Sequence, residues 1–349
     1  MSKHIYDIFE PRKSKSGIYK PFLIVDWAVG SMCNFSCTYC DPLFYEGKTP
    51  WHDIDDCTRF IDWLWENVCI PQNKILYFNI HAGEPTLWPN LDRFCEHVKR
   101  LNTDNQIRLL TKGTRNVKWW TKRNHLINSI IVSVHHGQSK NEEISEKFDA
   151  VYDSGIDVSL HVMVDTNAFD TCIETYKYLY NNCKGPQLQF KPLRTTIIKA
   201  QLQNYTEQQL SIMQNLPQKE HGENRHQQQN PMQWRKIGEE PVRVHSIEKE
   251  LLLTHLNNWN GWYCNMGIET IVVQHQGHIK PGSNCFKWLK YGNIKDKEYS
   301  VPLLPVLCKL DYCGCLTDLQ TTKVKDIAVG EKYIDAPLFE KSYEIATRN

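Results

Sequence analysis

The sequence carries no surplus of charge of one sign: 41 Lys and Arg stand against 40 Asp and Glu, a formal net charge of +1. That balance removes the electrostatic argument for a dedicated nucleic-acid binder and leaves room only for a local patch. Long apolar runs are missing too. No stretch approaches roughly 18 consecutive apolar residues, so no membrane span is expected. The opening MSKHIYDIFEPRKSKSG is basic and polar, without an apolar centre or a small-residue cleavage site. A secretory leader is therefore not expected, and the chain reads as soluble and cytoplasmic. No repeat of solenoid period recurs. Hydrophobic and charged fractions of 41% and 23% exclude the disordered and collagen-like classes. The 349 residues suit one large α/β domain with an appendage, or two ordinary domains.

Cysteine, by contrast, is plentiful. An odd count of 13 in a chain with no leader argues against a disulfide scaffold. Reduced thiols point instead to metal, catalysis or ordinary packing.

From residue 21 to about 195, short apolar runs alternate with amphipathic segments. Strands are expected at 21–29, 75–81, 106–111, 129–136, 157–164 and 187–193. Helices are expected at 56–68, 90–101, 118–127, 142–155 and 169–182. Continuous apolar strands followed by helices imply βαβ units and a mostly parallel sheet. Six such strands suit a complete or partial barrel, with the chemistry at the carboxyl ends of the strands. The expected organisation is an N-terminal extension over 1–20 and an α/β core over 21–202. A polar linker or lid over 203–255, a small cysteine-rich unit over 256–325 and a tail over 326–349 follow. His221, His226 and Trp234 lie in the linker, for which a solvated loop is the plainer reading and a substrate lid the sharper one.

Directly after the first strand comes Cys33-Asn-Phe-Ser-Cys37-Thr-Tyr-Cys40, a C-x3-C-x2-C run. Thiolates this close together on a loop leaving a strand can converge on one inorganic cluster. A structural zinc would want a fourth ligand nearby, and no His or Cys follows Cys40 before His52. A cubane [4Fe–4S] cluster on three cysteines keeps one iron open to a ligand. A zinc knuckle or three core cysteines are the bland alternatives. After the second strand comes His81-Ala-Gly83-Glu84-Pro85-Thr86. Gly83 permits close backbone approach and Pro85 holds Glu84 extended, so backbone groups and a carboxylate can meet a ligand's ammonium.

The cysteine spacing, with Tyr39 just before the last cysteine, resembles the radical S-adenosylmethionine (SAM) superfamily. The resemblance implies a partial (β/α)6 TIM-like barrel. It also implies that Cys33, Cys37 and Cys40 hold a [4Fe–4S] cluster whose unique iron is chelated by SAM. Gly83, Glu84 and Pro85 look like the family's Gly-Gly-Glu-Pro segment, with Ala82 in place of the first Gly. Thr111-Lys112-Gly113-Thr114 stands where relatives often carry Thr-Asn-Gly. Ser133-Val-His135-His136-Gly137 is similar to the segment that meets the SAM ribose and carboxylate, which implies cofactor contacts for Ser133 and His135. Asn167 and Arg194 also fall at carboxyl ends of strands, where a solvated loop is an equal reading.

The last five cysteines are Cys264, Cys285, Cys308, Cys313 and Cys315. Residues 262–285 read as a hairpin turning at Gln276-Gly277, with a cysteine at each open end. This unit resembles the auxiliary-cluster extension called SPASM, or its shortened twitch form. The five cysteines are too few for two clusters, so the resemblance implies one auxiliary [4Fe–4S] cluster with Cys308 as the spare thiol. A zinc ribbon is the competing reading. Cys57, Cys69, Cys95, Cys172 and Cys183 read as small buried hydrophobes.

The implied activity is reductive cleavage of SAM to a 5′-deoxyadenosyl radical and hydrogen abstraction from a peptide or small metabolite, an oxidoreductase-type reaction. The auxiliary cluster would assist oxidation or anchor substrate, and an electron donor such as flavodoxin or ferredoxin is implied. The alternatives are a nucleoside or nucleic-acid substrate, which the neutral charge disfavours for RNA, and a non-enzymatic zinc-knuckle protein.

Overall fold

The computed structural model describes residues 7–11, 22–37, 39–40, 45–137, 139–194, 202–217, 232–236, 238–240, 242–244, 251–282, 291–301, 305–313, 316–319 and 321–326. The first strands are β1 (Ile8–Pro11), β2 (Phe22–Ala28), β3 (Ile75–His81), β4 (Gln106–Thr111), β5 (Ser129–Val134), β6 (Asp157–Val164) and β7 (Gln187–Pro192). They are followed by β8 (Met232–Arg235), β9 (Val242–Val244), β10 (Tyr263–Cys264), β11 (Thr270–Val273), β12 (Ile279–Lys280), β13 (Val306–Leu307) and β14 (Lys323–Val324). The helices are α1 (Ile54–Leu64), α2 (Leu91–Leu101), α3 (Val117–Thr121), α4 (Asn141–Asp153), α5 (Phe169–Asn182), α6 (Glu207–Asn215) and α7 (Leu316–Leu319). Two compact units interleave along the chain, one of residues 1–26, 55–76 and 229–349, the other of 27–54 and 77–228.

In the second unit β3 to β7 pair in parallel and in sequence order, with Phe78 opposite Ile107, Leu109 opposite Ile130, Val132 opposite Leu160 and Val162 opposite Phe190. These alternate residues are buried and apolar, and they form one face of the sheet. Helices cover that face. Phe94 of α2 meets Phe78 edge-on at 5.3 Å and Trp27 at 5.4 Å, and Tyr176 of α5 meets Phe190 at 6.3 Å. In α2 the buried Leu91, Phe94, Cys95 and Val98 recur at helical spacing, with Asp92 in the first turn and Lys99 and Arg100 in the last, complementing the helix dipole.

The other face departs from the expectation of strands apolar on both sides. Its alternate positions carry Asn79, Arg108, Ser129, Ser133, Ser159, His161, Gln189 and Lys191. The true pattern is period-2, one face on the core and one polar. His161 is buried there, and desolvation, then the nearby Lys191 and Arg108 cations, lower its pKa to about 3. Its folded pKa lies below the unfolded value, so its neutral form supports the fold above about pH 6.5 and that support is lost as pH falls toward 3. Between pH 7 and pH 5 this amounts to about 2 kcal/mol, and His161→Gln should remove that share of the acid sensitivity in urea midpoints measured at both pH values.

Two further elements differ from expectation. The helix over 118–127 stops at Thr121, after which Arg123 N donates to Trp120 O at 2.8 Å and Leu126 N to Arg123 O at 2.9 Å, closing tight turns. Arg123 anchors them, paired with Asp92 at 2.7 Å and stacked 4.0 Å over Trp119. The first part of the polar 203–255 stretch is α6, started by a reciprocal capping box between Thr206 and Gln209. Just before it, the Tyr205 hydroxyl donates to Val164 O at 2.6 Å and accepts from Leu193 N at 2.7 Å.

The first unit holds an antiparallel sheet of order β13-β10-β14-β1-β8-β9. Trp234 of β8 is a core residue rather than part of a lid, with Phe9 at 4.8 Å and Trp259 at 5.3 Å. His221 and His226 lie outside the described residues. Beneath these rings the buried Lys323 ammonium donates to Asp318 O at 2.7 Å and Thr321 O at 2.8 Å. The hairpin turns at Gly277, where φ is +82°, but only β11 and β12 form it. Cys264 stands in β10 instead, because the turn over Asn265–Glu269, with Gly267 at φ +79°, breaks the expected strand. Among the described residues no helix is long and apolar enough to cross a membrane.

Candidate active site at the strand ends

At the exit of β2, Val29 N donates to His81 O at 3.1 Å and sets the following loop beside the tip of β3. Ser31 closes the base of that loop, its amide donating to Thr49 O at 3.1 Å and its hydroxyl accepting from Thr49 N at 2.9 Å. The loop start is pinned by Glu84 N donating to Met32 O at 2.8 Å. Only glycine fits at position 83: φ is +57°, and a Cβ there would overlap the Met32 carbonyl. Its neighbour Ala82 has φ +72° although it carries a Cβ. Ala82→Gly should therefore stabilise the fold by about 0.5–1 kcal/mol, read as a higher urea midpoint.

Glu84 is fully buried and turned inward. Its Oε1 accepts from Thr86 N at 3.2 Å, Thr86 Oγ1 at 2.6 Å and Thr111 Oγ1 at 2.7 Å, and its Oε2 accepts from Lys112 N at 2.7 Å. The carboxylate thus staples the tip of β4 to the turn after β3.

These strand ends enclose a cavity of about 230 Å³. Cys33, Cys37 and Cys40 share its wall with Phe35, Tyr45, His81, Ala82, Gly83, Lys112 and Ser133. Of the residues singled out from sequence, the three thiols, Gly83 and Ser133 line it, while Tyr39, Glu84, Pro85 and His135 do not. Asn167 bonds locally to Asp165, its amide at 3.0 Å from Oδ1, and Arg194 makes an isolated bridge with Leu202. His136 faces Asp165 at 3.7 Å.

His135 joins several of these groups from behind. Lys112 Nζ lies 2.7 Å from its Nε2, Tyr39 OH bonds its Nδ1, and Cys37 Sγ is 3.7 Å from the same nitrogen. Burial, then the Lys112 charge, lowers its pKa to about 3. A neutral ring has one donor and one acceptor, and an ammonium can only donate, so Nε2 accepts and Nδ1 carries the hydrogen. Tyr39, stacked on the ring at 5.6 Å, has its phenol pushed upward by burial, then by the Cys37 charge. Burial also raises the Cys33 thiol, against the opposing pull of the Phe35 amide and Lys112.

Three thiols on one wall are a donor set that suits an iron–sulfur cluster or zinc by its softness. As placed, no three ligating side chains among the described residues stand at metal-holding spacing, so the thiols must draw together to bind one. Lys112 also lines this wall, although its place in the sequence implied no role. Its signal was a cation one step beyond the carboxyl end of a strand.

In the first unit Cys264, Cys308 and Cys313 are buried, while Cys285 and Cys315 lie outside the described residues. Cys308 N donates to Trp262 O at 2.7 Å, and Cys313 N to Asn257 O at 2.9 Å. Burial pushes the Cys264 thiol up to about 12, with the Lys323 cation opposing and Cys308 adding to the rise.

No family model matches this chain, and no curated protein resembles it in sequence. Solved structures do resemble it at a distance. BtrN in complex with AdoMet and 2-DOIA is 16% identical over 79% of this chain and 80% of that one, with a TM-score of 0.39. SuiB of Streptococcus suis, bound to S-adenosylmethionine, is 13% identical over 80% of this chain and 62% of that one, with a TM-score of 0.48. HemN, the radical SAM coproporphyrinogen III oxidase of Escherichia coli, is 12% identical over 59% of this chain and 55% of that one, with a TM-score of 0.37. This chain thus spans less than two-thirds of the SuiB and HemN chains. At TM-scores below 0.5 none of these likenesses assigns it to a family.

Proposed function

We propose that this chain is a radical SAM enzyme acting on a peptide or small metabolite. One observation carries the reading: the thiols of a C-x3-C-x2-C loop share a cavity at the carboxyl ends of parallel strands with Gly83, Ser133 and Lys112. Cys33, Cys37 and Cys40 would hold a [4Fe–4S] cluster. When bound with SAM, that cluster supplies the electron that splits it into methionine and a 5′-deoxyadenosyl radical. The chain's own groups bind and orient. Gly83 lets a ligand approach the backbone, the Ser133 hydroxyl and the Lys112 ammonium offer donors to a carboxylate or ribose, and Glu84, Pro85, Tyr39 and His135 hold that wall from behind. The partial barrel, the cysteine-rich unit as a twitch-like domain with one auxiliary cluster on Cys264, Cys285, Cys313 and Cys315, and a flavodoxin or ferredoxin donor belong to the same proposal.

The test is anaerobic reconstitution with iron and sulfide, followed by dithionite and SAM. About eight iron atoms per chain are expected for two cubane clusters and about four for one, with 5′-deoxyadenosine released. Bound zinc without iron, and no 5′-deoxyadenosine, would overturn the radical reading in favour of a zinc protein.

A further inference from the structure

The thiol loop packs on the side chain that follows β5. His135 is buried, and it stacks with Phe35 and Tyr39 of that loop at centroid distances of 6.4 and 5.6 Å and interplanar angles of 24° and 23°. These rings fix its orientation. The Lys112 ammonium, 2.7 Å from Nε2, fixes its hydrogen on Nδ1. That nitrogen lies 3.7 Å from Cys37 Sγ, within hydrogen-bond reach of the large sulfur atom, and its hydrogen is shared with the Tyr39 hydroxyl oxygen. Cys33 repeats the arrangement, its Sγ accepting from Phe35 N at 3.4 Å. Two of the three loop sulfurs therefore meet an N–H.

With Nδ1 already protonated, the ring has no site there to take a proton from Cys37, so the two are not an activated nucleophile and its base. A donor aimed at sulfur suits a thiolate, which accepts, better than a thiol. One-electron reduction of a thiolate-ligated cluster adds negative charge that its sulfurs share, so a hydrogen bond to a ligand sulfur favours the reduced form. We propose that His135, with its tautomer set by Lys112, is a positioning residue that donates Nδ1–H to the Cys37 sulfur and raises the reduction potential of the cluster held by this loop. This role rests on the reading of the three thiols as [4Fe–4S] ligands. It places His135 on the sulfur side of the wall, in place of the cofactor contact that its sequence position implied.

An EPR-monitored redox titration of the reconstituted full-length protein, with dithionite as reductant and without SAM, tests this. The signal that Cys37→Ala abolishes marks the cluster in question. In His135→Leu its reduction should be about tenfold less favourable, a midpoint about 59 mV lower, at wild-type iron content. Lys112→Met, which frees the tautomer and removes a cation, should lower it as well. His135→Asn, whose side-chain amide nitrogen stands where Nδ1 stood, should hold the wild-type midpoint. Tyr39→Phe leaves the hydrogen to sulfur alone and should not lower it. An unchanged midpoint in His135→Leu or Lys112→Met, an equal drop in His135→Asn, or a drop in Tyr39→Phe overturns the proposal. Iron lost in His135→Leu as far as in Cys37→Ala would make His135 a ligand and overturn it too. Those results leave the cluster standing, whereas a wild-type chain that takes up no iron refutes the radical reading and this role together.

Discussion

Replacing Cys33, Cys37 or Cys40 by alanine, one at a time, should lower 5′-deoxyadenosine formation on the order of a thousandfold or more, about 4 kcal/mol in barrier. The loop is held at its base by Ser31 and at its start by Met32, contacts that none of the three thiols makes. The fold should therefore survive each change while the donor set falls to two thiols. Iron and sulfide should fall by about four atoms each per chain. Cys95 is the control: fully buried in α2, with its thiol raised by desolvation, it sits away from the cavity wall. Cys95→Ala should lower the urea midpoint and leave iron content and 5′-deoxyadenosine yield unchanged. A Cys37→Ala protein with full iron and full yield would remove the thiol assignment on which the function rests.

The parts of this molecule that were legible in the sequence are those set by local pattern. The strands β3 to β7 each announce themselves as a short apolar run between helical stretches, and their observed ends fall within two residues of expectation. The thiol loop and Gly83 follow from spacing and backbone freedom. What escaped depends on neighbours far along the chain. The alternation in Gln106–Thr111 and Gln187–Pro192 is plain once the sheet is seen, yet a polar alternate position does not say whether it faces solvent, a cavity or a partner. Trp234 sits in a polar stretch and is buried only because Phe9, Trp259 and Trp262 come to it from distant segments. The cap of α6 was readable, since Thr206 precedes Gln209 by three residues, but the surrounding polarity masked it. Glu84 shows the limit most clearly: its place in the turn after β3 suggested a ligand contact, whereas its carboxylate is fully buried and held by Thr86, Thr111 and Lys112.

That burial makes Glu84→Ala the largest expected loss of stability. The wild-type carboxylate is fully buried and accepts four hydrogen bonds, two from backbone amides and two from hydroxyls. Alanine would strand all four donors. The hydroxyls of Thr86 and Thr111 can rotate to other acceptors, but the amides of Thr86 and Lys112 are fixed by the backbone. An unsatisfied buried donor costs about 1–3 kcal/mol, so the total should be about 3–5 kcal/mol. Glu84→Gln keeps one oxygen but sets an NH2 group against a backbone N–H, and should cost about 2 kcal/mol. Thr111→Val removes a single donor and should cost about 1 kcal/mol. The same staple fixes Lys112, whose ammonium holds His135 at 2.7 Å, so SAM affinity by equilibrium dialysis should fall in the order of the stability losses. A residue acting only as a ligand would give the opposite split, weakened SAM binding at an unchanged urea midpoint. That split in Glu84→Gln would return Glu84 to the cavity wall and discard its role as the staple between the tips of β3 and β4.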